Sequence, residues 1–124
     1  MPARVYTCDS GDANELKKLM EYDPYLDKNL NEEQLAGLKN DEQANVIFAR
    51  QDYNIKDGIS LNLDTKKYYL YLSASDEFLE KADKKLKSSI KNIERADKET
   101  EEKIIGIVEG ERQQSEQGLG AIFG

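Results

Sequence analysis

The chain has 124 residues, no histidine, a single cysteine and a formal net charge of -7. Histidine is the side chain whose ordinary pKa lies nearest neutrality, so its absence excludes Ser-His-Asp and Cys-His nucleophiles and zinc sites of the usual nitrogen and sulfur type. A lone Cys8 excludes an internal disulfide, and the acidic surplus opposes nucleic-acid backbones and anionic membranes.

The first elements follow from turn and capping chemistry. Ala3 to Cys8 is rich in strand formers and stops at Asp9-Ser10-Gly11, a turn sequence. Asp12 lies three residues before Glu15, the spacing of a capping box, and Leu16, Leu19 and Met20 then form a helical stripe. Pro24 ends that helix, because the residue before proline is pushed out of the helical region. Asn31 and Gln34 predict a second, shorter helix carrying Leu35 and Leu38.

The middle reads as a meander. Residues 45–51 carry Val46, Ile47 and Phe48 and are expected to form a strand. Residues 59–63 alternate, with Ile59, Leu61 and Leu63 on one face, and predict another. A turn at 64–67 leads into a third strand at 68–73, giving a hairpin.

From Ser75 the period turns helical. Ser75 suits an N-cap, and Leu79, Ala82, Leu86, Ile90 and Ile93 recur at spacings of three and four. Residues 97–114 predict a last helix bearing Ile104, Ile105 and Val108, although 103–108 is also strand-prone. The expected fold is α+β in two layers: a mainly antiparallel sheet of about four strands with helices on one face. One domain spans 1–117, followed by a glycine-rich apolar tail at 118–124. The longest apolar runs are too short for a signal core or a membrane span, which predicts a cytoplasmic chain with no membrane partner.

Four constellations carry functional expectations. Cys8 sits at the end of a strand and just before a helix start, a place where thiolates can be stabilised. Its neighbours Asp9 and Asp12 work against that, and burial as a small apolar residue is the preferred reading. Asp9, Asp12 and Glu15 are oxygen ligands near a turn, the donor type that hard cations take, but helix starts attract acids for dipole reasons alone. No cofactor is expected.

In the third predicted strand Tyr68, Leu70, Leu72 and Ala74 share the core face, which leaves Tyr69 and Tyr71 on an outer face. Such tyrosines suit a protein interface, and with Arg50, Lys66 and Lys67 nearby they could stack unpaired bases. Lys81, Lys84, Lys85, Lys87 and Lys91 form a basic run followed by an acidic stretch from Glu94 to Glu111, so the last two helices are expected to fold together and neutralise each other. Leu119, Ile122 and Phe123 in the tail either dock on the chain's own core or bind a partner. The expected function is a non-enzymatic protein-interaction or assembly module that binds a protein partner or itself, the homodimer forming through the sheet face or the tail. The alternatives are a single-stranded nucleic-acid-binding accessory protein and an enzyme using Cys8 or a carboxylate-bound metal.

Overall fold

The computed structural model describes residues 1–41 and 45–123, with side chains up to residue 114. Strand β1 is Ala3–Asp9, followed by helix α1, Ala13–Glu21, and a short helix α2, Glu32–Leu38. Strands β2, Asp52–Asp57, and β3, Lys67–Ser73, precede helix α3, Asp76–Ser89. A two-residue strand β4, Glu94–Arg95, leads into the long helix α4, Lys98–Phe123. The four strands form one sheet in the order β2-β3-β1-β4, and every described pairing is antiparallel. The α+β class and the four-stranded antiparallel sheet are as expected.

The sheet has a core on each face. On one, Tyr6, Cys8, Leu70 and Leu72 meet Leu16 and Met20 of α1 and Leu79, Ala82 and Leu86 of α3. On the other, Val5, Tyr69 and Tyr71 meet Ile104 and Val108 of α4, with Leu61 tucked in beside them. The expected bare outer face is therefore a second interior. Strands alternate their side chains, so a sheet with apolar residues at both odd and even positions must be covered on both sides. β3 is such a strand, with Tyr69 to Ala74 all buried.

Capping chemistry held at two helix starts and failed at one. Asn31 and Gln34 form the full capping box of α2, and the Ser75 hydroxyl accepts the Phe78 N–H at the start of α3. Asp12 makes no side-chain cap bond, because Ser10–Asp12 forms a tight turn that sets the entry to α1 instead. α3 ends at Ser89, and Ile90 turns extended, yet Ile90 and Ile93 still reach the same core.

Two predicted strands are absent. Residues 45–51 run as an irregular segment ending in a tight turn at Phe48–Arg50. Val46, Ile47 and Phe48 are consecutive and all buried, which suits a wedge and not a half-buried strand. Phe48 packs edge-on to Phe78 of α3, and Lys85 of α3 donates to the Val46 carbonyl. Residues 59–63 form the β2–β3 connection. There the Asp57 carboxylate accepts the Ser60 N–H and the Asp64 carboxylate accepts the Lys66 N–H, local bonds that compete with a ladder. Ile59 is 66% exposed while Leu61 is buried, so their alternation serves a loop.

α4 lies on the face opposite α3, so the two helices do not neutralise each other. Lys81 and Lys87 pair within α3, with Glu77 and Asp83. α4 reaches the sheet instead, through Glu101 to Arg95, Glu111 to Lys56 and Arg112 to Asp52. Glu101 also accepts the Val5 N–H at 3.0 Å, replacing a ladder partner on the short β4 side. α4 continues helical to Phe123, into the segment expected to be a separate tail, and the side chains of Leu119, Ile122 and Phe123 lie outside the described residues. The strand alternative for 103–108 gives way to helix. No helix among the described residues is long and apolar enough to cross a membrane.

Candidate interaction surface

The turn after β1 holds the nucleophile and metal candidates. Cys8 faces the α1–α3 core and is fully buried. Loss of water pushes its thiol up to about 11, and the Asp12 and Asp9 carboxylates add to the effect. At neutral pH it is a protonated, apolar side chain. Lys67 holds Asp9 at 2.9 Å and Asn92 holds it at 3.3 Å, and the Lys67 bond first of all keeps its carboxyl below the usual range. Asp12 and Glu15 begin α1 without a ligand geometry: among the described residues, no group of three His, Cys, Asp or Glu side chains can hold a metal ion.

The tyrosine platform is buried. Tyr69 is 7% exposed and Tyr71 3%, because α4 lies over them, and the Arg112 guanidinium sits 5.3 Å from the centre of the Tyr71 ring. Lys67 is engaged with Asp9, Lys66 is on the exposed β2–β3 connection, and Arg50 pairs with Asp23 on another part of the molecule. The five residues assigned to a nucleic-acid surface do not converge, and their stacking rings are not available to bases.

The described surface has clefts, among them two of several hundred cubic ångströms. One of about 410 Å³ lies at the start of α4, among Thr7, Lys67, Tyr69, Arg95, Asp97 and Thr100. Its cations are already bound, Arg95 to Glu101 at 2.8 Å and Lys67 to Asp9 at 2.9 Å. The Thr7 hydroxyl is buried there with no hydrogen-bond partner among the described residues. The other cleft, about 330 Å³, lies between the end of α2 and the start of α3, with Lys39, Val46, Phe78 and Lys81 on its walls.

The surface best built for recognition lies after α1, where Tyr22-Asp23-Pro24-Tyr25-Leu26-Asp27 makes a compact knuckle. Pro24 is buried and starts a short tight helix, and the Asp23 side chain accepts the Tyr25 N–H to hold it. The Tyr22 hydroxyl donates to Asp27 at 2.8 Å. That bond, followed by a smaller loss of hydration, raises the Tyr22 pKa; Asp27 is lowered by the Asn29 N–H and then by Tyr22. Arg50 bonds Asp23 at 3.0 Å through Nε and places its guanidinium 4.9 Å from the Tyr25 ring centre. This network holds Tyr22 (48% exposed) and Tyr25 (37%) on the surface, with Leu26 (77%) exposed beside them.

No family model, curated protein or solved structure matches this chain.

The knuckle was missed in the sequence because it has neither period. Two tyrosines and a leucine lie among Glu21, Asp23 and Asp27 around a proline, which reads as a helix stop and a loop. The available clue was compositional, since a polar loop does not ordinarily concentrate large apolar side chains. Arg50 stands out as a cation in the sequence, but its partner is 27 positions away.

Proposed function

We propose that the protein is a cytosolic, non-enzymatic interaction module that docks a protein partner through Tyr22, Tyr25, Leu26 and Arg50. The observation that carries this reading is the combination of exposure and restraint in the knuckle. Interfaces are enriched in tyrosine and arginine, and the side chains that dominate binding are rigid aromatics and arginines. Hydrogen bonds to Asp23 and Asp27 already hold Tyr22, the Tyr25 backbone and Arg50, so docking them costs less ordering entropy than mobile side chains would demand. Arg50 over Tyr25 also keeps a cation beside an apolar plane, a pairing worth about 0.5–1 kcal/mol at exposed sites.

The protonated state of Cys8 supports a role without thiol chemistry. The buried Tyr69 and Tyr71 speak for packing in place of base stacking. The test is quantitative affinity capture with the wild-type chain and with the double variant Tyr25→Ser, Leu26→Ser, followed by binding of the purified partner. The expected result is a partner that the variant loses, with circular dichroism and melting temperature unchanged. An identical set of bound proteins for both chains would overturn the assignment.

A further inference from the structure

The outer edge of β2 has a self-complementary pattern. Gly58 N–H bonds the Lys67 carbonyl, which sets the phase of the ladder to β3. In an antiparallel pair the inward-bonding residues alternate. Asp52, Asn54 and Lys56 therefore turn their backbone groups toward β3, and Tyr53 and Ile55 turn theirs outward. No described residue hydrogen-bonds those outward groups. Their side chains take the opposite alternation: Tyr53 and Ile55 pack on the α1–α3 side, while Asp52 and Lys56 face α4.

We propose that this edge pairs with the same edge of a second copy of the chain, antiparallel about a two-fold axis, with Asn54 opposite Asn54 of the second copy. In that register the N–H and C=O groups of Tyr53 meet those of Ile55 of the second copy, and the reverse, and the two four-stranded sheets become one. Asp52 then lies opposite Lys56 of the second copy and Lys56 opposite Asp52. On the other face Tyr53 sits against Ile55, an aromatic and β-branched pair of the kind that stabilises sheets.

The charges select this register from the others the backbone phase allows. Tyr53 opposite itself brings Arg50 against Lys56. Ile55 opposite itself leaves Asp52 and Lys56 without charged partners. One further step sets Lys56 against Lys56, which is unfavourable. Only the proposed register matches both charges. It also extends pairs already present, since Arg112 holds Asp52 and Glu111 holds Lys56 within each copy. Exposed charge pairs contribute little affinity one by one, but they set orientation and register. A single strand pair is a small interface, so the dimer forms in a concentration-dependent way.

Sedimentation of the full chain over a concentration series tests the proposal. The wild type is expected to show a monomer–dimer equilibrium. Asp52→Lys and Lys56→Asp should each weaken it by at least about tenfold, because each sets like charges opposite one another twice. An equimolar mixture of the two variants should dimerise again, since lysines then face aspartates across the seam. A second measurement does not depend on charge changes: Asn54→Cys should form an intermolecular disulfide far faster than a Lys66→Cys control, Cys8 being buried. The knuckle variant Tyr25→Ser, Leu26→Ser should leave the dimer intact, which separates this edge from the docking surface proposed above. A wild-type chain that stays monomeric at every concentration overturns the proposal. So do a dimer that survives both single substitutions, folded variants that fail to combine, and an Asn54→Cys chain that cross-links no faster than the control.

Discussion

Gly58 stands where β2 gives way to its connection with β3, and the Asp64 carbonyl oxygen closes on it from across the turn. A Cβ at this position would fall inside the van der Waals radius of that oxygen, and backbone cannot swing aside as a side chain can. The connection is tied at both ends, by Leu63 N–H to the Gly58 carbonyl and by Gly58 N–H to Lys67. Asn62 adopts φ 56 between them, the left-handed conformation that asparagine tolerates. Gly58→Ala is therefore expected to destabilise the fold by about 3 kcal/mol, a large effect for one methyl group, read from the shift of the urea midpoint at constant slope. The loop delivers Leu61 under α4, so the same change should loosen that helix. A glycine is visible in the sequence, but its need to be a glycine is not. That follows from an oxygen six positions away in the chain.

α4 shows which interactions hold an element. Ile104 and Val108 are fully buried against Val5, Tyr69 and Tyr71, and each such burial contributes roughly 1.5–3 kcal/mol. The exposed pairs at its far end, Lys56 with Glu111 and Asp52 with Arg112, contribute roughly 0.2–1 kcal/mol apiece. Burial dominates. Tyr71→Ala should accordingly cost about 3 kcal/mol or more, whereas a tyrosine on an open sheet face would cost almost nothing. Glu101 is the exception among the polar contacts, since it satisfies both Arg95 and the Val5 N–H. Thermal or chemical denaturation of these variants checks the ranking, with Glu101→Ala expected near 2 kcal/mol and Glu101→Gln at about half of that. The helical period of 97–114 and the continuous apolar run of 68–73 were legible because each element's own burial imposes them. β2 was not, although residues 52–56 alternate polar and apolar, because only Tyr53 and Ile55 carry the pattern and the denser apolar runs at 46–48 and 59–63 on either side compete with it. β4 has only two residues, too few to carry a period.

For the whole molecule, the missing histidine predicts a flat response to pH. No side chain has an ordinary pKa between about 5 and 8, so the folded and unfolded chains bind the same number of protons there. On the alkaline side burial raises Cys8 from 9.0 to about 11 and Tyr6 from 10.0 to about 12. A raised folded value gives stability that is complete below the unfolded value and lost as pH climbs through the folded one. The loss should therefore run from about pH 9 to about pH 12. On the acid side burial works against the charged forms of Asp83 and Glu101. Lys87 and Tyr6 for Asp83, and Arg95 and Val5 for Glu101, nevertheless hold the two carboxyls below their usual range. Depressed folded values give stability that is present above the unfolded value and lost as pH falls through the folded one. Urea denaturation across pH should show a plateau with a limb on either side. Cys8→Ala should flatten the portion of the alkaline limb between about 9 and 11. A slope across the plateau would contradict this account.

The sequence by itself determined the absence of histidine chemistry, the α+β class, the helix starts at Asn31 and Ser75, and the strand at 68–73 with Leu70 and Leu72 toward the core. Each of these depends on residue identity or on neighbours within a few positions. Only the tertiary structure decided that α4 covers Tyr69 and Tyr71, that Arg50 locks onto Asp23 and Tyr25, and that no described residue pairs with the outer edge of β2. Those outcomes depend on residues far apart in the chain and on which face each helix takes, and no local period encodes them. The proposed docking surface moved accordingly, from the tyrosines of the sheet to the knuckle after α1.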